Sequence, residues 1–192
     1  MKILIIGASS NLCKEMLRNT SGIADRSLKI VVPNRSIRYG EKIPLEYLSG
    51  IDAVVNFALH FNRDYKKALY ANTEGTLLWI NQLKKLSSVK FLQISSDSVR
   101  FHPTSKYSNI KSNVENNILN RSNVRVFRIP TLIGKFTPPP SINVFKMLNF
   151  QSRAFKRVFV PEGFDKVRIL QYLDSKSIWD KLCDAIEGDT VL

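Results

Sequence analysis

The chain has few of the residues that build metal sites and disulfide frameworks. Its 192 residues include only two cysteines, Cys13 and Cys183, and two histidines, His60 and His102. Two cysteines cannot form a disulfide framework, and two histidines suggest no cluster of metal ligands. Glycine is also scarce, with 8 residues in the chain, or about 4% where about 7% is usual. This scarcity matters for the loop that follows the first strand.

Long apolar runs are also lacking. No run approaches the roughly 18–20 residues that span a bilayer, and residues 3–6 are too few for the core of a signal peptide. Hydrophobic residues make up 44% of the chain and charged residues 23%, which argues against disorder. We therefore expect one folded domain over residues 1–192, located in the cytoplasm and without a membrane span.

The charge is strongly one-sided. The chain holds 29 Lys and Arg against 16 Asp and Glu, a net charge of +13. Such a balance favours an anionic partner: nucleic acid, an acidic membrane surface or a phosphorylated small molecule. The basic residues are spread along the chain without a recognition motif, so nucleic-acid binding is the least favoured, and ordinary surface lysines are the simplest alternative.

The order of apolar segments predicts strands that alternate with helices. This alternation is typical of βαβ units and of a doubly wound parallel sheet, so the fold class is α/β and Rossmann-type. After residue 130 the pattern weakens, and residues 135–174 are expected to form a small region on the substrate side. The predicted strands are 2–6, 28–32, 52–57, 90–95 and 123–128, with short ones at 158–160 and 167–173. The predicted helices are 10–19, 65–86, 108–120 and 175–187.

The turn after the first strand is a candidate phosphate-binding loop. Dinucleotide-binding folds carry three glycines here, so that the backbone and the start of the following helix can approach a pyrophosphate. In residues 7–13 (GASSNLC) only Gly7 is present, and Ser9 or Ser10 is available as the helix N-cap. An ordinary strand-to-helix turn remains an alternative for this segment.

A tyrosine and a lysine four residues apart follow the fourth strand. Tyr107 and Lys111 lie on one face of a predicted helix, so the ammonium can lower the phenol pKa from its usual value of about 10. Tyr172 and Lys176 repeat the spacing. Only Tyr107 comes after a strand that ends in serines, among them Ser96, which favours it as the proton-transfer group.

Several segments, taken in order, resemble the extended short-chain dehydrogenase/reductases, the NAD(P)-dependent epimerase/dehydratase family. The resemblance covers nearly the whole chain, and it implies a Rossmann-type fold and chemistry on a nucleotide sugar or related anionic sugar. The segments that carry it are Gly7, residues 50–58 (GIDAVVNFA), 72–76 (NTEGT) and 95–99 (SSDSV), Tyr107 with Lys111, residues 127–134 (FRIPTLIG) and 162–174 (EGFDKVRILQYLD).

The resemblance also implies roles for individual residues. Ser96 would hydrogen-bond the reacting oxygen and Tyr107 would be the general acid/base. Lys111 would bind the nicotinamide ribose and tune Tyr107, with Asn72 supporting Lys111. Asp97 and Arg168 would contact the substrate. The cofactor would be held by Lys111 together with Gly7, Ser10, Asn11, Leu12, Asn34, Arg35, Arg38, Phe57, Ala58 and Pro130.

The segment after the second strand bears on which dinucleotide is bound. The acid that would bind a ribose 2′-OH is missing there, and Asn34 and Arg35 stand in its place, with Arg38 nearby. This favours NADP(H), with NAD possible, against the alternative of two surface arginines. Ser98 follows Asp97 where dehydratases of the family often have Glu, which argues against dehydratase chemistry.

The departures from the family leave a second interpretation open. Ser10 and Cys13 replace the second and third glycines, and the chain ends at Leu192, soon after the last family helix. The alternative to an enzyme is a degenerate, non-catalytic nucleotide-binding or scaffold protein, or a truncated chain. Relatives dimerise through the helices that carry Asn72 and Tyr107, so a homodimer is a further expectation. The sequence 77–80 (LLWI) makes the first of these helices apolar almost all round.

Overall fold

A computed structural model describes residues 1–18, 27–86, 88–101, 103–129 and 175–188. Short runs of β-branched and aliphatic residues form the strands, and each begins and ends within one residue of its predicted bounds. The strands are β1 (Lys2–Ile6), β2 (Lys29–Val31), β3 (Ala53–Asn56), β4 (Lys90–Ser96) and β5 (Val124–Ile129). The predicted strands at 158–160 and 167–173, and the whole region 135–174, lie outside the described residues.

The helices follow the strands as the alternation predicts. The longer ones are α1 (Asn11–Arg18), α3 (Tyr65–Leu83), α5 (Lys106–Ile118) and α6 (Ser175–Glu187). Two single turns, α2 (Leu45–Leu48) and α4 (Ser98–Phe101), are additions that the sequence pattern did not predict. The start of α5 comes two residues before the predicted one, because the Ser105 hydroxyl accepts the backbone N–H of Ser108 at 3.0 Å and so caps the helix.

The five strands form one parallel sheet in the order β2-β1-β3-β4-β5. The dinucleotide-binding order is 3-2-1-4-5-6. Omitting its third strand leaves 2-1-4-5-6, which is the observed order once the strands are renumbered. Residues 32–52 indeed hold no strand and only the short α2. The strand order reverses between β1 and β3, which places the expected ligand crevice at the carboxyl ends of these two strands.

Apolar side chains cover both faces of the sheet, as the continuous apolar run of β1 predicts. On one face, Ile3 and Ile5 pack with α1 and with Trp179 of α6. On the other, Leu4 and Ile6 pack with Trp79 of α3. The helices therefore lie on both sides, and the carboxyl edge is left for the loops. Among the described helices, none has the length and apolar character needed to cross a membrane.

Candidate active site

Gly7 follows β1 at the point where the strand order reverses. Its φ angle is 81°, a conformation that L side chains rarely adopt. A Cβ on this residue would lie 2.3 Å from the backbone nitrogen of Ala58, which follows β3. The two loops thus touch through their backbones, and any side chain at position 7 would push them apart. Gly7 therefore has the tight-turn role of the first glycine in dinucleotide-binding loops.

Ser10 and Cys13 occupy the other two glycine positions, and a hydrogen bond between them caps the start of α1. The Ser10 hydroxyl oxygen accepts the backbone N–H of Cys13 at 3.2 Å, so Ser10 is the N-cap. Cys13 is completely buried in the core, and burial raises the pKa of its thiol to about 12. The capping bond uses only the oxygen of Ser10, so its hydrogen can still be donated to a phosphate oxygen. Asn11 begins α1, and Leu12 packs against the core.

A small open pocket of about 40 Å³ lies beside this turn, between the ends of β1 and β2. Gly7 and Ser9 line it from one side, and Pro33 and Arg35 from the other. The structure therefore brings Arg35 to the first turn, where a cationic side chain could meet an anionic group. Arg35 is already paired, because its Nη1 donates to Glu41 Oε2 at 3.0 Å.

Glu41 was missed by the sequence analysis, although it lies six residues beyond Arg35. Its carboxylate also accepts the backbone N–H of Arg38 at 3.4 Å, and these arginine contacts lower its pKa. The expected group of Asn34, Arg35 and Arg38 is only partly assembled. Neither Asn34 nor Arg38 lines the described pocket, and the backbone N–H of Asn34 donates to Tyr47 Oη at 3.3 Å.

Phe57 and Ala58 form the other wall of the crevice, directly after β3. The backbone N–H of Phe57 donates to the carbonyl of Ile6 at 2.8 Å, which continues the sheet pairing to its edge. Ala58 donates its N–H to Asn56 Oδ1 at 2.9 Å, and its carbonyl accepts the Tyr39 hydroxyl at 2.8 Å. These bonds fix the backbone that touches Gly7.

Ser96 and Tyr107 are brought together at the end of β4. The strand ends at Ser96, and Tyr107 lies in the first turn of α5. Burial raises the pKa of Tyr107, and a hydrogen bond with Ser96 partly opposes this rise. The sequence analysis expected the Lys111 ammonium to lower this pKa. The structure corrects that expectation, because burial outweighs the lowering influences and Lys111 is not among them.

Lys111 turns its amine toward the sheet. Its Nζ donates to the carbonyl oxygen of Ile94, in β4, at 2.7 Å, and the side chain is buried. Burial lowers the pKa of Lys111 to about 8, while the carboxylate of Glu115 acts to raise it. The amine can therefore gain or lose a proton close to neutral pH, although it lies in the interior.

Asn72 joins the loop after β3 to α3. Its amide nitrogen donates to the carbonyls of His60 at 2.8 Å and Ala68 at 2.7 Å, and its amide oxygen accepts the His60 N–H at 3.0 Å. Both amide donors are thus used to fasten the loop after β3 to α3, and the support of Lys111 by Asn72 stays a prediction. This loop carries Phe61, whose exposed ring lies nearly parallel to the ring of Tyr107, with centroids 6.3 Å apart.

The sequence analysis missed an ion pair next to Lys111, in which the carboxylate is buried and the guanidinium is partly exposed. Glu115 lies one helical turn beyond Lys111, and its carboxylate is bound by Arg128 of β5, through Nε at 3.1 Å and Nη2 at 2.5 Å. The Ser95 hydroxyl also donates to this carboxylate. The spacing of Tyr107, Lys111 and Glu115 at intervals of four is the signal that could have identified it.

The remaining predicted residues divide between described and undescribed parts of the chain. Asp97 follows β4, donates its backbone N–H to the carbonyl of Ile129 at 3.0 Å, and adds its charge to the environment of Arg128. Pro130 and Arg168 lie outside the described residues, as does Tyr172. The carboxyl ends of β1, β3 and β4 thus carry Gly7, Ala58 and Ser96 at one edge of the sheet.

No family model and no curated protein sequence matches the chain. Solved structures with the same fold include nucleotide-sugar dehydratases and epimerases. A dTDP-glucose 4,6-dehydratase from Bacillus anthracis, solved with NAD, superposes with a TM-score of 0.61 at 19% identity, covering 77% of this chain and 60% of that one. A UDP-glucuronic acid 4-epimerase from Bacillus cereus, also with NAD, has a TM-score of 0.56 at 18% identity, covering 79% and 62%. A putative NAD-dependent epimerase/dehydratase from Bacillus halodurans has a TM-score of 0.55 at 14% identity, covering 82% and 90%.

The chain spans about 60% of the length of the first two of these enzymes, so it shares their fold over part of their length. The identities are low, and the likeness is one of fold. Together with the parallel sheet and the tight turn at Gly7, it confirms the α/β, Rossmann-type prediction. The chain has the fold of the extended short-chain dehydrogenase/reductases, the family that its sequence resembles.

Proposed function

We propose that this chain is an NAD(P)-dependent enzyme of the epimerase, dehydratase or reductase type that acts on an anionic sugar, such as a nucleotide sugar. The observation that carries the proposal is the placement of two features at one edge of the sheet. The tight turn at Gly7 touches the loop after β3, and Ser96 and Tyr107 meet at the end of β4 with Lys111 behind them. The known activities of the structural neighbours support the same choice.

The described residues fit a dinucleotide at this edge. Gly7 provides the tight turn, the N-terminus of α1 provides backbone N–H groups, and Ser10 provides a hydroxyl hydrogen. Ala58 would border the nicotinamide half, and Arg35 would meet a ribose 2′-phosphate, which favours NADP(H) over NAD. When bound, the nicotinamide ring accepts or donates a hydride.

The proton chemistry belongs to the chain's own side chains. The Tyr107 phenol lies beside Ser96 at the sheet edge and donates its proton to a substrate oxygen; in the opposite direction its phenolate takes the proton of a substrate hydroxyl. The Ser96 hydroxyl donates to the same substrate oxygen and stabilises the negative charge that develops there. Lys111 supplies a positive charge one helical turn from Tyr107. The raised pKa of Tyr107 keeps the phenol protonated at neutral pH, as a proton donor requires.

A non-catalytic nucleotide-binding protein is the second candidate, and one observation favours it. The Cys13 side chain fills the position where the third glycine lets helix and strand pack closely, and it is completely buried. Calorimetric titration of the purified chain with NADPH and NADH tests whether a dinucleotide binds, and an assay of turnover separates the two candidates. Binding together with turnover that is lost in Tyr107→Phe supports the enzyme, and binding without turnover supports the second candidate. No binding at millimolar concentration, even by Ser10→Gly/Cys13→Gly, contradicts the enzyme.

A further inference from the structure

The site contains a buried charged group that the proposed chemistry does not use. Glu115 has 1% of its surface exposed, and an ionised carboxylate in such a place is costly unless it is paired and hydrogen-bonded. Arg128 and Ser95 supply those partners. The pairing satisfies the carboxylate, but it does not explain why a carboxylate is buried one helical turn from Lys111.

The contacts of Glu115 join three elements of the site. Through Ser95 it holds α5 against β4, one residue before Ser96, and through Arg128 it holds α5 against β5. Lys111, on the same helix, donates to Ile94 of β4 at 2.7 Å. The face of α5 that carries Tyr107, Lys111 and Glu115 is therefore fixed in register with the end of β4. A shift of the helix along the sheet would have to break these bonds together.

The charges around Lys111 alternate in sign. Glu115 lies on its own helix, Arg128 lies behind Glu115 on β5, and Asp97, after β4, acts on Arg128. α3, which packs against α5, meets it through the uncharged pair Thr73 and Asn113, whose side chains are 2.7 Å apart. Tyr107, on the preceding turn of α5, is the remaining titratable group on this face. Glu115 is thus the negative charge that acts on the buried amine.

We propose that Glu115 is a positioning residue for the Tyr107 and Lys111 pair: its carboxylate keeps the buried Lys111 amine charged and holds α5 in register with Ser96. Arg128 weakens this effect, because its positive charge partly neutralises the carboxylate of Glu115. The catalytic consequence rests on the proposed function, whereas the charge state of Lys111 can be measured without turnover.

Two substitutions in the same ion pair make opposite predictions. In Glu115→Gln the amine loses its negative neighbour, so the pKa of Lys111, about 8 in the native chain, should fall by about 1. In Arg128→Gln the guanidinium no longer offsets the negative charge of Glu115, so the pKa of Lys111 should rise. A role limited to stability would weaken both variants and would not move this pKa in opposite directions. Glu74→Gln, on the exposed surface of α3, is the matched control and should leave it unchanged.

The measurement is NMR titration of the full chain labelled at lysine Cε, with the Lys111 signal assigned by its loss in Lys111→Met. Opposite movements in the two variants support the proposal; movements in the same direction, or none, overturn it. If Glu115→Gln does not fold, Arg128→Gln decides alone, with a rise in favour and no change against.

Turnover supplies the second readout. In Glu115→Gln the alkaline limb of the pH profile of kcat should move to lower pH by about 1, with activity regained below pH 7. Equal loss at every pH would overturn the positioning role. If the Lys111 signal moves as expected but no dinucleotide binds, the electrostatic role of Glu115 stands and the proposed enzymatic function fails, so the two failures are distinguishable.

Discussion

The contact between Gly7 and Ala58 gives a sharp test of the loop at the centre of the site, and Gly40 is its matched control. Both glycines have positive φ angles, 81° and 89°. A Cβ at Gly40 meets nothing within 4 Å, whereas one at Gly7 would lie 2.3 Å from the Ala58 nitrogen. Alanine therefore introduces backbone strain at both positions, but steric overlap only at Gly7.

The expected magnitudes follow from these two terms. The left-handed conformation costs an L residue about 1–2 kcal/mol, so Gly40→Ala should lower the free energy of unfolding by roughly that amount. Gly7→Ala adds the displacement of a packed backbone, and overpacking of this kind typically costs about 1–3 kcal/mol. The total loss in Gly7→Ala should be about 2–5 kcal/mol, and dinucleotide affinity should fall with it, because the turn itself moves.

Urea denaturation followed by circular dichroism measures both free energies, and calorimetry measures NADPH binding. We expect Gly7→Ala to be the less stable variant by about 1–3 kcal/mol, while Gly40→Ala binds the dinucleotide like the native chain. Equal destabilisation of the two variants, or unchanged binding by Gly7→Ala, would refute the role assigned to the contact with Ala58.

Four further predictions concern catalysis, cofactor choice, pH dependence and assembly. Tyr107→Phe should lower kcat by about 10²–10⁴ with little change in stability, whereas Tyr70→Phe, on the surface, should be silent; equal effects on kcat would contradict the assignment. Arg35→Ala should remove about 1–3 kcal/mol of preference for NADPH, and Glu41→Gln, which frees Arg35, should increase it; binding isotherms for both dinucleotides test this. Burial raises the pKa of Cys13 to about 12 in the folded chain, whereas the thiol of the unfolded chain loses its proton above about pH 9. The free energy of unfolding should therefore fall as the pH rises from about 9 to about 12. Urea denaturation at pH 7 and pH 10 should show a smaller loss of stability in Cys13→Ala than in the native chain. Sedimentation at micromolar concentration tests the proposed homodimer. Trp79 and Ile80 are already buried within one chain. If only monomer is found, the apolar residues of α3 serve the core of the chain and the homodimer is contradicted.

The sequence determined the order and type of the main elements, because each carries its own local signal. The apolar run before Gly7 is buried on both faces as predicted, and α6 has the predicted bounds. The capping signal at Ser10 placed the start of α1 within one residue, whereas the cap at Ser105 was not recognised and α5 begins two residues before its predicted start. Such signals depend on neighbours in the chain, so they can be read without knowledge of the fold.

Tertiary structure decided the contacts between residues far apart in sequence. The direction of the Tyr107 pKa shift depends on burial by other elements, and so the i to i+4 spacing with Lys111 predicted it wrongly. The side chain of Asn72 forms hydrogen bonds with the loop after β3, and the carboxylate of Glu115 pairs with an arginine on β5. The pattern of residues placed these side chains on the right elements, but only the packing of the sheet and its helices determined which charges and hydrogen bonds they share.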